Sequence, residues 1–316
     1  MKVKDAPDSL KPYLFHGLDL DWKEGEREAT TECPWCGAEE GKFNINSENG
    51  LWKCFRCKEG LEGKEGGNST DFIKLLWQKS TDATMVDAYS KLAKERGFVY
   101  PDTPVHWEAC QSIITKRWLI PGFGIEGKMQ QLYKWTSFSK KKRLLATPGL
   151  PHKLFGVNLY RKQSNTVYLC EGPWDAMALW ELLRVAKAKN TTSKETDNIE
   201  EDRKTLVETA DEDSSLLSSA SVLSVPGCGT FHPSWCSLFA GKRVCILFDN
   251  DYPKKNPKTG KTIPPAGLNG VRRTASILSS HDDPPSELLF LRWGNAVEGW
   301  SSELPDGMDL RDRLAL

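Results

Sequence analysis

Val244-Cys245-Ile246-Leu247-Phe248 is a run of five apolar residues that ends in Asp249-Asn250-Asp251. A short β-rich run bounded by turn-formers predicts a strand buried on both faces, the kind found in parallel sheets. Thr166-Val167-Tyr168-Leu169-Cys170 is a second such run, and it also ends in an acid, Glu171, ahead of Gly172. Residues 220–225 and 287–291 predict two further strands. Residues 176–183 predict a helix with Asp175 in its first turn, where its charge suits the positive dipole end. Gly267-Leu268-Asn269-Gly270 leads into another helix at 271–278. Strand–helix alternation implies a parallel sheet with right-handed crossovers. Such sheets hold ligands at their carboxyl edge, and side chains i and i+2 of a strand point one way. Asp249 and Asp251 are therefore expected to converge there with Glu171. Those carboxylates repel one another unless a cation lies between them, and Mg²⁺ prefers oxygen ligands. An isolated Asp-x-Asp is more often an acidic turn after a core strand, so the reading depends on its neighbours.

The amino-terminal fifth carries Cys33-Pro34-Trp35-Cys36 and Cys54-Phe55-Arg56-Cys57, two CxxC turns seventeen residues apart. This is the spacing of a zinc ribbon, in which the two turns aim four thiolates at one Zn²⁺. Four protein ligands leave no open position, so Cys33, Cys36, Cys54 and Cys57 are expected to hold one structural zinc. Residues 42–46 and 50–53 alternate as the strands of a hairpin between the turns. Trp35, Trp52, Phe55 and Arg56 are candidates for stacking on bases, and equally for the small core of the ribbon. Residues 71–77 have helical spacing with Ser69 or Thr70 as N-cap, residues 85–93 predict a second helix, and residues 100–104 a linker.

Lys+Arg and Asp+Glu are both 43, so no overall affinity for polyanions follows. The charge is nevertheless segregated. Residues 110–162 hold eleven Lys/Arg against the single acid Glu126, and residues 190–213 hold three basic and nine acidic residues. Trp118, Tyr133, Trp135 and Phe138 lie among the basic residues, including the run Lys140-Lys141-Lys142-Arg143. Basic residues interleaved with aromatics are the composition of a single-strand-binding surface. Two strands are expected here, 117–120, stopped by Pro121-Gly122, and 130–135. The start of the chain has no apolar signal core, no run is long enough to span a bilayer, and nine cysteines with two CxxC pairs fit a reducing compartment. The expected localisation is cytoplasmic, in a bacterial cell or a phage-infected host cell, with no membrane partner.

The order strand-Glu171-Gly172-Pro173-Trp174-Asp175-Ala176, then strand-Asp249-Asn250-Asp251, then Ala266-Gly267 and a helix resembles the Toprim domain. With the cysteine motif in front, the chain is similar to the DnaG-type primases of bacteria and phages. Residues 66–73, 144–148 and 154–158 resemble further motifs of that family, and Pro305-Asp306-Gly307-Met308-Asp309 resembles its late Pro-x-Gly-Lys-Asp motif. The resemblance implies an α/β fold, α+β overall. It comprises an N-terminal four-cysteine zinc ribbon (1–67), a helical connector and linker (68–104), a mixed basic subdomain (105–162), and a Toprim-like parallel sheet flanked by helices (163–316). It implies a nucleotidyltransferase that makes short RNA primers from ribonucleoside triphosphates on a single-stranded DNA template during replication, beside a separate replicative helicase. Mg²⁺ or Mn²⁺ would be held by Glu171, Asp249, Asp251 and Asp309. Asp249 and Asp251 are the expected catalytic ligands, and Glu171 a ligand or proton acceptor. Arg117, Lys134, Lys142, Arg143, Trp52 and Arg56 would contact nucleic acid or nucleotide.

The sequence departs from the family in three places. Residues 252–265 intervene between Asp251 and Ala266 and carry Lys254, Lys255, Lys258 and Lys261; residues 190–219 form an acidic insertion; Met308 replaces the late lysine, and Arg311 stands where a second acid is common. A Toprim nuclease would use the same carboxylates, and a zinc-ribbon DNA-binding protein with a silent Toprim fold is the non-enzymatic alternative. Gly260-Lys261-Thr262 imitates the end of a P-loop, but Lys255 occupies the position of its first glycine, which excludes an ATPase.

Overall fold

The computed structural model describes residues 2–39, 41–57, 65–136, 143–192, 220–294 and 299–314. The chain forms two compact units, one of residues 1–90 with 104–153, the other of residues 91–103 with 154–316.

In the first unit, α1 (Lys11–Phe15) precedes an antiparallel sheet of β1 (Glu28–Thr31), β2 (Phe43–Asn46) and β3 (Trp52–Cys54). The hairpin β2–β3 is where the alternation predicts it. β1 has no sequence signal, because Glu28-Ala29-Thr30-Thr31 contains one apolar residue and so no visible period. Alternation in β2 buries Phe43 and Ile45 and turns Asn44 and Asn46 outward. Phe43 stacks on Trp52 with ring centroids 5.2 Å apart, and Tyr13 and Phe72 meet at 4.7 Å to extend this core. Gly66 lies so close to β3 that a Cβ on it would stand 2.1 Å from the Trp52 carbonyl oxygen.

Helix α2 (Ser69–Ala83) starts one residue earlier than the sequence suggests. Its N-cap is Asn68, whose side chain accepts from Thr70 N (2.8 Å) and Asp71 N (3.0 Å), while Asp71 accepts from Asn68 N (3.1 Å). This reciprocal capping box satisfies three amides that the first turn would otherwise leave open. After α3 (Val86–Arg96), the expected linker contains a short helix, α4 (Thr103–His106). A second antiparallel sheet follows in the order β4 (Cys110–Gln111), β5 (Trp118–Phe123), β6 (Met129–Thr136), β7 (Arg143–Ala146). β5 continues through Pro121, against the expectation that this residue stops it. β4 pairs only with Trp118 and Leu119, so one edge of β5 is open at Pro121 and its missing N–H breaks no ladder.

The second unit is built on four parallel strands. In chain order come β8 (Thr166–Cys170), α5 (Pro173–Thr192), β9 (Ala220–Ser224), β10 (Arg243–Leu247), a hairpin of β11 (Lys254–Lys255) and β12 (Thr262–Ile263), α6 (Ala266–Ser279), β13 (Glu287–Phe290) and α7 (Leu310–Leu314). The sheet order is β13-β10-β8-β9, every pair parallel. The architecture is thus the expected mixed α/β one, a parallel sheet flanked by helices. The two strands that end in acids are the central pair, in register with Leu247 opposite Cys170. α6 begins five residues before the predicted start because Gly267 and Gly270, which read as helix breakers, are buried contact points. A Cβ on Gly267 would stand 2.3 Å from Asp249 O, and one on Gly270 2.5 Å from Cys228 Cβ. Among the described residues no helix is long and apolar enough to cross a membrane. Most of the expected acidic insertion, residues 193–219, lies outside the described residues.

Replacing Asn68 with alanine removes the cap and is expected to cost about 1 kcal/mol. Urea unfolding should show the midpoint lowered with the slope unchanged.

Candidate metal centres at the cysteine quartet and the acidic sheet edge

Cys33 and Cys36 flank one turn and Cys54 and Cys57 the other, and the sheet brings the turns together by pairing Phe43 with Cys54. The four sulfurs lie within 4.8 Å of one another, with Cys33–Cys57 at 3.8 Å and Cys36–Cys54 at 3.9 Å. A tetrahedral ion at a Zn–S distance of about 2.3 Å requires an S···S edge of about 3.8 Å. The quartet therefore fits a structural zinc. Burial opposes ionisation of Cys54, but backbone N–H groups of Cys57 and Arg56 and the neighbouring thiols bring it down to about 7.

The aromatics around the quartet divide in a way that spacing did not predict. Trp52 is 3% exposed, stacked on Phe43, with its indole N–H donated to Asn68 O. It is a core residue and cannot stack on a base, which corrects its assignment to nucleic-acid contact. Trp35 packs against Trp52 and Phe72. Phe55 is 60% exposed and Arg56 is exposed beside it.

The basic sheet needs the same correction. Trp118, Tyr133 and Trp135 are all buried and build its core, because strand alternation turns them inward. They are not a stacking platform. Lys134 lies over the Phe15 ring at 4.1 Å and donates to the Phe15 carbonyl. Burial, and then the charge of Arg117, lower it to about 8. Arg117 is half-buried. Phe138 and Lys140-Lys141-Lys142 lie outside the described residues, as does the side chain of Arg143.

At the carboxyl edge of the parallel sheet, Glu171 follows β8 directly and Asp249 follows β10 by two residues. Glu171 accepts from Asp249 N at 3.2 Å. β10 stops at Leu247, so strand alternation does not aim the two aspartates. Instead Asp251 N turns back to Asp249 O (3.2 Å), and the Asp251 carboxylate accepts from Gly267 N (2.8 Å) in the first turn of α6. Among the described residues the cysteine quartet is the only group of three or more potential ligands drawn within 4.8 Å of one another. Glu171, Asp249 and Asp251 thus share one edge, where the Glu171 and Asp251 carboxylates are each held by a different backbone amide.

Two residues to which the sequence analysis gave no role organise this edge. Asn250 is fully buried; its backbone N–H donates to Met308 O at 2.9 Å and its carbonyl accepts from Gly307 N at 2.7 Å. Its side chain accepts from Ser301 N (2.9 Å) and donates to Ser301 O (3.0 Å) and Pro305 O (3.1 Å). Arg311 donates to Asp175 (3.1 Å) and to Asp309, joining the start of α5 to the late motif. Asp175 is therefore a buried member of the acidic cluster as well as a first-turn residue.

The electrostatics record how much negative charge is concentrated here. Burial, followed by the charges of Glu171, Asp175, Asp309 and Asp251, pushes Asp249 up to about 9. Burial, with Asp251 and Asp175 behind it, pushes Glu171 to about 7 against hydrogen bonds from Asp249 N and Cys228. Burial and then Asp309 raise Asp175 to about 6, although Arg311 pulls the other way. Hard oxygen donors whose ionisation is suppressed first by burial and then by one another fit a divalent cation.

No family model matches the chain, and no curated protein does. Among solved structures it is similar to the zinc-binding and RNA polymerase domains of the Aquifex aeolicus primase (TM-score 0.46, 14% identity, 99% of this chain and 80% of that one). It is also similar to the primase fragment of the bacteriophage T7 primase-helicase protein (TM-score 0.41, 13% identity, 70% and 68%). A third similarity is to the E. coli primase catalytic core (TM-score 0.45, 14% identity, 78% and 74%).

Two outcomes test the centres. A strong chelator should release one zinc per chain and shift Trp52 fluorescence to the red as its core opens, while Asp249→Ala keeps its zinc. At the acidic edge the folded state holds protons that the unfolded chain releases near pH 4. Stability without divalent cation should therefore fall as pH rises from about 4 towards about 9. Thermal unfolding of the zinc-loaded protein without added Mg²⁺ at about pH 6 and about pH 9 should show the drop, and Mg²⁺ should restore more at the higher pH. An equal Mg²⁺ effect at both would contradict this assignment.

Proposed function

We propose that the chain is a DnaG-type primase that copies single-stranded DNA into short RNA primers by nucleotidyl transfer from ribonucleoside triphosphates. The observation that carries the reading is the acidic sheet edge, where Glu171 and Asp249 follow the two central parallel strands and Asp175 and Asp309 share Arg311, with burial and mutual repulsion raising Asp249, Glu171 and Asp175 above ordinary carboxylates. The ordered motifs of the sequence, and a cysteine quartet that fits zinc ahead of them, support it.

Asp249 and Asp251, with Glu171 and then Asp309, are the residues that would hold Mg²⁺ or Mn²⁺. When bound, the cation lowers the pKa of the primer's 3′-hydroxyl and neutralises charge on the leaving pyrophosphate. Glu171, half-buried at the end of β8 and raised to about 7 by that burial, is suited to accept the hydroxyl proton. Asn250 fixes the acid-bearing loop to the late motif, and Arg311 keeps Asp175 and Asp309 oriented. Arg117, Lys142 and Arg143 serve template or triphosphate phosphates, and Arg56 beside exposed Phe55 is the ribbon's candidate for reading the template. A separate replicative helicase in the cytoplasm of a bacterial or phage-infected cell completes the assignment.

Incubation with single-stranded DNA, NTPs and Mg²⁺ or Mn²⁺ tests it. New short RNA is the expected product. Asp249→Ala should reduce it to background, and Glu171→Gln should lower the rate roughly 10²–10⁴-fold. Cut DNA without RNA would identify a nuclease, and binding without either product a silent fold.

A further inference from the structure

The insertion between Asp251 and α6 is a two-stranded hairpin, with Lys254 opposite Ile263 and Lys255 opposite Thr262. This geometry also disposes of the P-loop imitation, since Lys261-Thr262 enters a strand and not a helix. Residues 252–265 contain Lys254, Lys255, Lys258 and Lys261 and no acid. All four lysines are exposed, and Lys255, Lys258 and Lys261 have no ion-pair partner among the described residues.

The hairpin is held in place at both ends. At its first foot Tyr252 N donates to Asp306 (2.7 Å), Tyr252 Oη donates to Ser302 O (3.1 Å), and the ring packs on Trp300 at 5.3 Å. Lys254 approaches Asp306 at 3.8 Å. At the other foot, Pro264-Pro265 leads into α6, whose Gly267 N binds Asp251. The turn is closed by Asn256 N to Lys261 O and Gly260 N to Asn256 O, both 2.9 Å, and the Asn256 side chain accepts from Lys258 N (2.9 Å) and Thr259 N (3.2 Å). Gly260 supplies the positive φ of +66° that this turn requires. Four like charges are therefore displayed on a fixed frame whose feet are the residues flanking the acidic edge.

We propose that this hairpin is a clamp for the phosphodiester backbone of a single nucleic-acid strand running to the acidic edge, an inference that rests on the function proposed above. Charge complementarity selects a polyanion, and length selects a strand over a lone triphosphate. The five residues from Asp251 to Asn256 can carry the turn about 16 Å from the carboxylates at about 3.3 Å per residue. Stacked nucleotides at about 3.4 Å spacing fill that distance with four or five phosphates. A clamp of this kind also brings positive charge towards a site whose own excess is negative. Lysines that serve only to protect the hairpin's open edges would be indifferent to any ligand.

The test measures binding of a fluorescent oligo(dT) to the zinc-loaded protein without NTPs across a salt series, together with ATP–Mn²⁺ affinity without DNA. Each phosphate contact on a single strand contributes about 0.7 to the slope of log K against log salt. Lys258→Gln with Lys261→Gln should flatten the slope by about 1.4, and adding Lys255→Gln by about 2.1 in all, with arginine at the same positions restoring it. ATP affinity should be unchanged. An unaltered DNA slope overturns the proposal, whether ATP affinity falls, which would make these lysines triphosphate ligands, or stays, which would make them surface protection. Flattened slopes in a protein that makes no RNA would leave the clamp standing and defeat the primase reading.

Discussion

Asn250 holds the acidic edge together. Between two half-buried aspartates it turns fully inward, and both faces of its amide, with its backbone N–H and carbonyl, are bonded to residues 301–308. Those bonds connect the loop after β10 to a late segment more than fifty residues away in the chain. A buried amide satisfied on all sides is stable only in this arrangement, because each lost bond would leave a desolvated polar group costing about 1–3 kcal/mol. An aspartate in its place would present a charge to three carbonyl oxygens. The position thus demands asparagine as strictly as its neighbours demand acids.

With that loop fixed, the electrostatics follow. Asp249, Glu171, Asp175, Asp251 and Asp309 share one region, and Arg311 is bonded to Asp175 and Asp309. Burial and mutual repulsion are relieved by protonation in the protein alone, and by a hard cation when one binds. The cysteine quartet solves a related problem with the opposite outcome. Its four soft donors already stand at the edge length of a zinc tetrahedron and leave no coordination position for a reactant. One centre is therefore suited to hold a fold and the other to exchange ligands.

Period and spacing made the frame legible. The apolar runs ending in Glu171 and Asp249, the two CxxC turns and the helix-forming stretches each encode their element locally, and strand–helix alternation implies the parallel pairing of the sheet. Aromatic residues were the least legible. Trp52, Trp118, Tyr133 and Trp135 have the same composition signature whether they face bases or a core, and only the pairing of strands turned them inward.

The sequence by itself determined that acids follow two strands, that four cysteines can close on one zinc, and that a lysine-rich segment follows Asp251, because these are matters of residue type and short-range spacing. Only the tertiary structure decided how the acids are presented. β10 stops before Asp249, so a turn and the amide of Gly267, not strand alternation, aim the carboxylates. The bonds of Asn250 and Arg311 span 51 and 136 residues. Such partners are chosen by packing across the fold, and no local pattern carries that information.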